Sequence, residues 1–447
     1  MEAQAKEYLD KRFIDAKYKE LFKKVSEIGN KPGVANFGQG APNMDIPDML
    51  MPALNEVALN NANHQYSAEG GPRGLLEQVA RHYGNQMGRE INAKSEVIVC
   101  EGASDAFYGF LEVYIQPADE IVTFVPCFGF YLMMMRQFKN INLKCINLFD
   151  KPNFEIDWEK FETCFSENTR CLYLNTPNNP TGKVFSRDEM ERMAKLIQDK
   201  YPKVIVFADN VYCDMVFGDA KHVEIASLPG MWNRTVTSYS FGKTFGATGW
   251  RLGFTLGPSE MINSLKILQG LSNFCGVSLI LAAAELVLQR AEQEYKGEKT
   301  YYQWVCKLYQ DRYKKVSEVI SNCCLPLEIV PAQGGFFLLA KIDKAVVGMP
   351  VRHFYEDLET NDHGGKKLES AEDWMNLEGV DYSLDYAFCN YVAFEYKTVF
   401  FPISAFMPSN IDPPKTRQLV NYIRISICKD DKSIDLLNHN LAKLKSA

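Results

Sequence analysis

The chain has 447 residues, 46% of them hydrophobic and 23% charged, an ordinary globular composition that excludes a collagen-like or disordered chain. That length exceeds what one core usually fills, so one large and one smaller domain are expected. A formal net charge of -7, with Lys and Arg scattered among Asp and Glu, argues against the basic surface that nucleic acid requires, and no apolar run approaches the roughly 20 residues of a membrane span.

The N-terminal "MEAQAKEYLDKRF" interleaves acids and bases and lacks the apolar stretch of a secretion signal, while transit peptides are poor in acids, so a cytoplasmic address is expected. Residues 1–45 are read as an N-terminal segment contributing to the small domain and the substrate entrance. From about residue 95 to 260, short β-rich runs alternate with amphipathic stretches: "EVIVC", "EIVTFV", "CLYLN", "VIVFA", "TVTSYS" and "LGFTLG". This alternation predicts an α/β domain, placed at 46–320, with a mostly parallel sheet covered by helices and strands buried on both faces. From Ile262 to Ser321 the pattern turns helical, with an apolar stripe in "SLILAAAELVLQRAEQEY". After Pro326, "LEIVPAQGGFFLLAKI" and "YIRISIC" read as strands of a smaller α+β domain, 321–447. Between them the polar stretch from about Asn361 to Glu378 is expected to be a surface insertion. The twelve cysteines include no C-x-x-C, and their only close pair is Cys323 and Cys324. Buried free thiols in a reducing compartment are therefore expected, rather than a metal or redox site.

Lys243 lies in "TSYSFGKTFGATGWRLGF", a loop of Ser, Gly and Thr between two β-rich runs, and strand-end loops are where catalytic groups gather in open α/β sheets. The "GKT" triplet hints at a nucleotide-binding loop. That motif needs a glycine five residues before Gly242, where Thr237 stands. "GQGAPN" begins with Gly38 and Gly40 but has Asn43 where a dinucleotide fingerprint needs its third glycine. Alone, Lys243 reads as a solvated loop lysine, and its neighbours must decide.

Seven landmarks follow one another: "NFGQGAP", "QYSAEGGPRGL", "EGASDAF", "NTPNNPTG", "ADNVY", "SFGKTFGATGWRLG" and "NYIRISIC". On these the chain resembles the class I/II (fold-type I) aminotransferases from about Asn36 to its end. Within that family it is most similar to the kynurenine/glutamine transaminase and cysteine-conjugate β-lyase branch, by "NFGQGAP", "NTPNNPTGKVF" and "GKTFGATGW". The resemblance implies a fold-type I transferase, pyridoxal 5'-phosphate (PLP) as cofactor, and ping-pong transfer of an amino group from an amino acid to a 2-oxo acid. Cys275 follows Phe274 where the branch usually carries histidine, which leaves aromatic, kynurenine-like, glutamine and methionine-like donors all open. A β-lyase shares the same cofactor contacts, as would a regulator on this fold that has lost catalysis.

PLP presents an aldehyde, a pyridine nitrogen, a phenolic oxygen and a phosphate, and a protein using it supplies a partner for each. The resemblance assigns Lys243 to the aldehyde and Asp209, ending "VIVFAD", to the nitrogen, whose pKa it would raise. Asn179 and Tyr212 fall to the phenolic oxygen, and Phe128 stacks on the ring. The phosphate falls to Gly102, Ala103 and Ser104, at a helix N-terminus after "EVIVC", with Ser240 and Arg251. Glu101, beside that loop, must point away from an anion. Tyr66 of "HQYSAEGG" matches a tyrosine that reaches the phosphate from the other subunit, which implies a homodimer. Arg424 is the fork for the substrate's α-carboxylate, helped by the Gly40 backbone and the Asn179 amide. Lys243, Asp209 and Tyr212 are thus the catalytic candidates. Phe130, Phe274 and the "QGGFF" strand are expected to wall the side-chain pocket. Without the resemblance, Asp209 would be a strand-end cap, Asn179 a turn residue and Arg424 an edge-strand arginine.

Overall fold

The computed structural model describes residues 17–137, 141–323, 325, 327–342, 348–356, 365–369, 377, 382–408 and 421–442. The segment 1–13 read for localisation, Cys324 and most of the 361–378 stretch lie outside them.

Strand β1 (Ala35–Asn36) precedes the main sheet, formed by β2 (Val97–Cys100), β3 (Glu120–Val125), β4 (Asn142–Asn147), β5 (Thr169–Asn175), β6 (Ile205–Asp209), β7 (Thr235–Ser240) and β8 (Gly253–Leu256). Their order is β2-β8-β7-β6-β5-β3-β4. All six runs expected from the sequence are strands, and all pairings are parallel except those of β8, which runs antiparallel to β2 and β7. Central strands such as β6 are buried along their whole length, which is why they read as unbroken apolar runs. Strand β4, "NLKCIN", escaped the sequence reading. It is an edge strand whose first residue is exposed and whose next three are only partly buried, and edge positions carry polar residues that blunt the β signal.

The helices that cover the sheet carry their own start and face signals. Helix Arg187–Lys200 begins at Ser186, whose hydroxyl accepts from the Glu189 N–H while the Glu189 carboxylate accepts from the Ser186 N–H. This capping box satisfies two of the otherwise orphaned donors. The same helix buries Met190, Met193, Ala194 and Ile197, the one-sided spacing of an amphipathic helix. The helical region expected after Ile262 resolves into Ser259–Ser272, Ser278–Ala291 and Tyr301–Asn322.

A second sheet is built from β9 (Glu328–Val330), β10 (Phe337–Lys341), β12 (Phe401–Pro402) and β13 (Tyr422–Ser426) in the antiparallel order β12-β13-β10-β9. Strand β11 (Thr398–Val399) pairs in parallel with β1. The residues after β1 are stitched to the second sheet, since Ser426 N donates to Phe37 O at 2.7 Å and Phe37 N to Val399 O at 2.9 Å. Among the described residues no helix is long and apolar enough to cross a membrane.

Candidate active site

The C-terminal ends of the central strands β5, β6 and β7 open on a cavity of about 560 Å³, the side of the sheet on which open α/β folds receive ligands. Every residue assigned from the sequence to the cofactor or the α-carboxylate, except Tyr66, lines it: Gly40, Gly102, Ala103, Ser104, Phe128, Asn179, Asp209, Tyr212, Ser240, Lys243, Arg251 and Arg424. Glu101 does not, as the charge argument required.

Asp209 ends β6 and is buried. Its Oδ2 accepts from the Tyr173 hydroxyl at 2.7 Å and from Asn175 Nδ2 at 3.2 Å, while Oδ1 has no hydrogen-bond partner. Burial pushes the carboxyl up to about 7, against the Tyr173 hydrogen bond and the charge of Lys243, which pull it down. An acceptor oxygen held dry and unpartnered is costly, and a cationic donor in the cavity would relieve it. Tyr173 and Asn175 sit on β5 in register with β6, Asn175 directly beside Asp209. Asn175 stands in the quoted "NTPNNPTG", yet neither residue was given a role from the sequence. Their function depends on strand register, which one sequence does not disclose.

Lys243 leaves the end of β7 on the single turn Phe241–Thr244. Gly242 is required there: a Cβ would meet Thr248 Cα at 2.8 Å and the Ala247 carbonyl at 3.1 Å. The lysine is half-buried, with Nζ 5.1 Å from the Phe336 ring centroid. Burial holds its pKa below the ordinary value, Arg424 and Arg251 adding to the effect while Asp209 opposes it, so the amine gives up its proton more readily than a free lysine. Tyr212 packs edge-on to the same Phe336 ring, and burial drives its phenol well above the ordinary range. It stays a neutral donor.

An anion cradle faces this pair. Gly102 caps helix Ala103–Tyr114 with φ +85°, a backbone conformation that suits glycine, and a Cβ there would meet Arg251 Nη2 at 2.8 Å. The free N–H groups of the first turn and the guanidinium of Arg251 can hold a phosphate-sized anion, with Ser240 at the cavity wall. Arg251 Nη2 donates to the Glu101 carbonyl at 3.0 Å, which fixes the guanidinium beside the helix start.

Arg424, only 2% exposed, lies in β13. Nη1 donates to Asn179 Oδ1 at 3.1 Å and Nη2 to the Gly38 carbonyl at 2.7 Å. The guanidinium carbon stands 4.1, 4.7 and 5.0 Å from the ring centroids of Phe337, Phe406 and Phe401. Gly40 leaves room for this arrangement, since a Cβ would meet the Phe337 ring at 2.5 Å. Phe128, Phe130, Met134, Leu252 and Phe337 give the cavity an apolar wall. Phe274, expected in that wall, is instead 59% exposed, packed edge-on to Tyr66, which is 83% exposed. Neither touches the cavity of its own chain. Gln39, Tyr131 and Thr248 also line it, and nothing in the sequence reading had marked them.

This combination of a cavity at the carboxyl ends of parallel strands, a half-buried lysine, a buried carboxylate and an arginine fork suits group-transfer enzymes acting on amino acids. Residues 32–432 match the family Aminotransferase class I and II, and the chain belongs to it. It is 28% identical over 433 residues to the kynurenine–oxoglutarate transaminase of Dictyostelium discoideum, covering 94% of this chain and 93% of that one. It is 31% identical over 337 residues to kynurenine–oxoglutarate transaminase 1 of Mus musculus, covering 73% and 78%. Among solved structures, YbdL of Escherichia coli, identified with a methionine aminotransferase function, superposes with a TM-score of 0.78 at 22% identity, covering 97% of this chain and 99% of that one. The N-succinyldiaminopimelate aminotransferase of Mycobacterium tuberculosis gives 0.78 at 21%, covering 98% and 100%. The fold is thus that of fold-type I transferases, and the protein is an aminotransferase similar to the kynurenine transaminases.

Proposed function

We propose that the protein is a PLP-dependent aminotransferase moving the amino group of an aromatic, kynurenine-like, glutamine or methionine-like amino acid to a 2-oxo acid by a ping-pong cycle. The observation that carries the cofactor is Asp209 Oδ1, buried without a partner in the cavity that also holds Lys243. A protonated pyridine nitrogen is the donor it lacks. The remaining residues fit the other handles: Lys243 for the aldehyde, Asn179 and Tyr212 for the phenolic oxygen, Phe128 for the ring face, and Gly102, Ala103, Ser104, Ser240 and Arg251 for the phosphate.

PLP, when bound, would supply an electron sink for the bond to the substrate's Cα proton. Asp209, buried in the same cavity, would hold the proton on the pyridine nitrogen. Arg424, with Asn179 and the Gly40 backbone, fixes the α-carboxylate and so orients the Cα–H bond. Lys243, with its pKa lowered by burial, serves as the base that takes the proton. The neutral Tyr212 phenol would donate to the phenolic oxygen of the cofactor.

The apolar wall of Phe130, Met134, Leu252 and Phe337 and the kynurenine transaminases among the relatives favour uncharged, largely apolar donor side chains. Exposed Tyr66, Phe274, Leu271 and Val277 support a homodimer in which Tyr66 completes the neighbour's phosphate site. The division into 46–320 and 321–447, with residues 1–45 joining the latter, is favoured by the two separate sheets and the β1–β11 pairing. A cytoplasmic location completes the reading.

The test is an absorbance spectrum of the purified protein, followed by addition of candidate amino acids with and without a 2-oxo acid. Conversion of the bound cofactor to its aminated form, and borohydride labelling at Lys243, are expected. A label on another lysine overturns the site, and release of pyruvate and ammonia without an acceptor would make the protein a β-lyase instead.

A further inference from the structure

Resting on that reading, we propose that Asp214 and Thr244 form a strut that sets the separation of Tyr212 and Lys243, and that both act as positioning residues for the reaction. Lys243 rides on a helix of only four residues, Phe241–Thr244, far below the length at which a helix holds itself. Its geometry must come from outside ties. Two converge on the residue after the lysine. The Thr244 hydroxyl donates to Asp214 Oδ2 at 2.8 Å, and the Tyr301 hydroxyl donates to the Thr244 carbonyl at 2.9 Å, satisfying one of the carbonyls that a helix end leaves orphaned.

The other end of the strut stands two residues beyond Tyr212, in a turn closed by Met215 N donating to the Tyr212 carbonyl at 2.9 Å. One hydrogen bond therefore joins the segment carrying the phenol to the segment carrying the amine. Asp214 is itself braced. Its side chain is 3% exposed, Gln86 Nε2 donates to its Oδ1 at 3.4 Å, and His82 Nε2 lies 3.9 Å from the same oxygen. His82 is in turn stacked on Tyr302 with centroids 4.0 Å apart and bonded to Glu292 at 2.8 Å. None of these groups lines the cavity, so their effect on the reaction passes through the two residues they hold. A charged acceptor gives a stronger bond than a neutral one, and reacting groups lose rate steeply when misplaced by about 1 Å.

The holoenzyme of Thr244→Val, which lacks the hydroxyl, should lose kcat by about tenfold or more while KM for the donor amino acid stays within about twofold. The induced circular dichroism of the bound cofactor, which reports its tilt against the protein, should change with it. Thr244→Ser should restore both, and Asp214→Ala, which also loses the Gln86 bond, should lose at least as much as Thr244→Val. The double variant should be no worse than Asp214→Ala alone, because the Thr244 bond is already gone in that variant. A folded Thr244→Val enzyme with wild-type kcat and dichroism, or losses that add in the double variant, would overturn the strut. If Thr244→Val does not fold, Asp214→Asn, which keeps an acceptor, compared with Asp214→Ala decides in the same way: equal kcat in the two overturns it. A wild-type chain without any cofactor absorption would overturn the function proposed above, a result distinct from either.

Discussion

Replacing Arg424 by Lys tests the substrate side of the site most directly. The guanidinium donates from Nη1 to Asn179 Oδ1 and from Nη2 to the Gly38 carbonyl, and its flat fork of five N–H groups suits both oxygens of a carboxylate as well. A lysine keeps the charge but has three donors on a single atom, too few and too close together to serve all four acceptors. At least one charge-assisted bond is lost, worth about 1.5 to 3 kcal/mol, which converts to roughly ten- to hundredfold in kcat/KM. The surrounding rings of Phe337, Phe401 and Phe406 suit a flat, weakly hydrated guanidinium better than an ammonium, so the upper part of that range is expected. Steady-state kinetics with several amino acids at fixed 2-oxo acid give the number, and cofactor absorbance confirms that PLP is still bound. Unchanged kcat/KM across those donors would remove Arg424 from the carboxylate site.

The raised pKa of Asp209, about 7 from burial against about 3.9 in an unfolded chain, makes the cofactor-free protein lose stability as pH rises through that window. There the unfolded chain has released a proton that the folded one retains, and the loss levels off above about 7. Asp209→Asn removes this contribution, while Asp385, raised to about 6 by burial, keeps its own. Thermal unfolding near pH 5 and near pH 8 should therefore find Asp209→Asn gaining on wild type at the higher pH, and parallel pH dependences would refute the assignment. Mixing inactive Lys243→Ala chains with weakly active Tyr66→Phe chains should raise activity above that of the parents kept apart, because a mixed dimer collects both lesions in one site and leaves the other intact. No gain from demonstrated mixed dimers would put Tyr66 outside the neighbour's site.

How much of this was legible follows from what each element buries. The strands β2, β3, β5, β6, β7 and β8 could be read because nearly every residue in them is buried, leaving an unbroken apolar signature. The direction of β8 could not, since the segment 241–252 that links it to β7 carries no recognisable sign that it stays at one end of the sheet. Most residues that line the cavity were found through motifs around Lys243, Asn179 and Arg424. Those that hold them through hydrogen bonds were missed. Tyr173 holds Asp209 from the neighbouring strand, and Asp214 reaches Thr244 across 30 residues of chain. Such pairings depend on register and turn geometry, and a tyrosine within "CLYLN" or an aspartate within "YCDMV" has the composition of ordinary core and turn.

The carboxylate contact proposed for Arg424 would also let a non-reacting group of the substrate affect the chemical step. It lies in the second sheet, yet its two hydrogen bonds reach Asn179, beyond β5 of the main sheet, and Gly38, beyond β1. Three segments of the chain thus meet at the guanidinium, and Asn179 is anchored in turn, its N–H donating to Asn175 Oδ1 at 2.8 Å while Asn175 Nδ2 donates to Asp209. A carboxylate on Arg424 therefore draws on the same bonded chain that orients Asp209, and its binding energy is available to hold the reacting geometry. A donor stripped of its α-carboxylate should consequently lose kcat as well as affinity. Comparing single-turnover rates of a good donor amino acid with those of the corresponding primary amine, each at saturation, measures this. The amine is expected to fall by about an order of magnitude or more even when bound, whereas equal saturated rates would mean that Arg424 contributes only uniform binding and leaves the chemical step untouched.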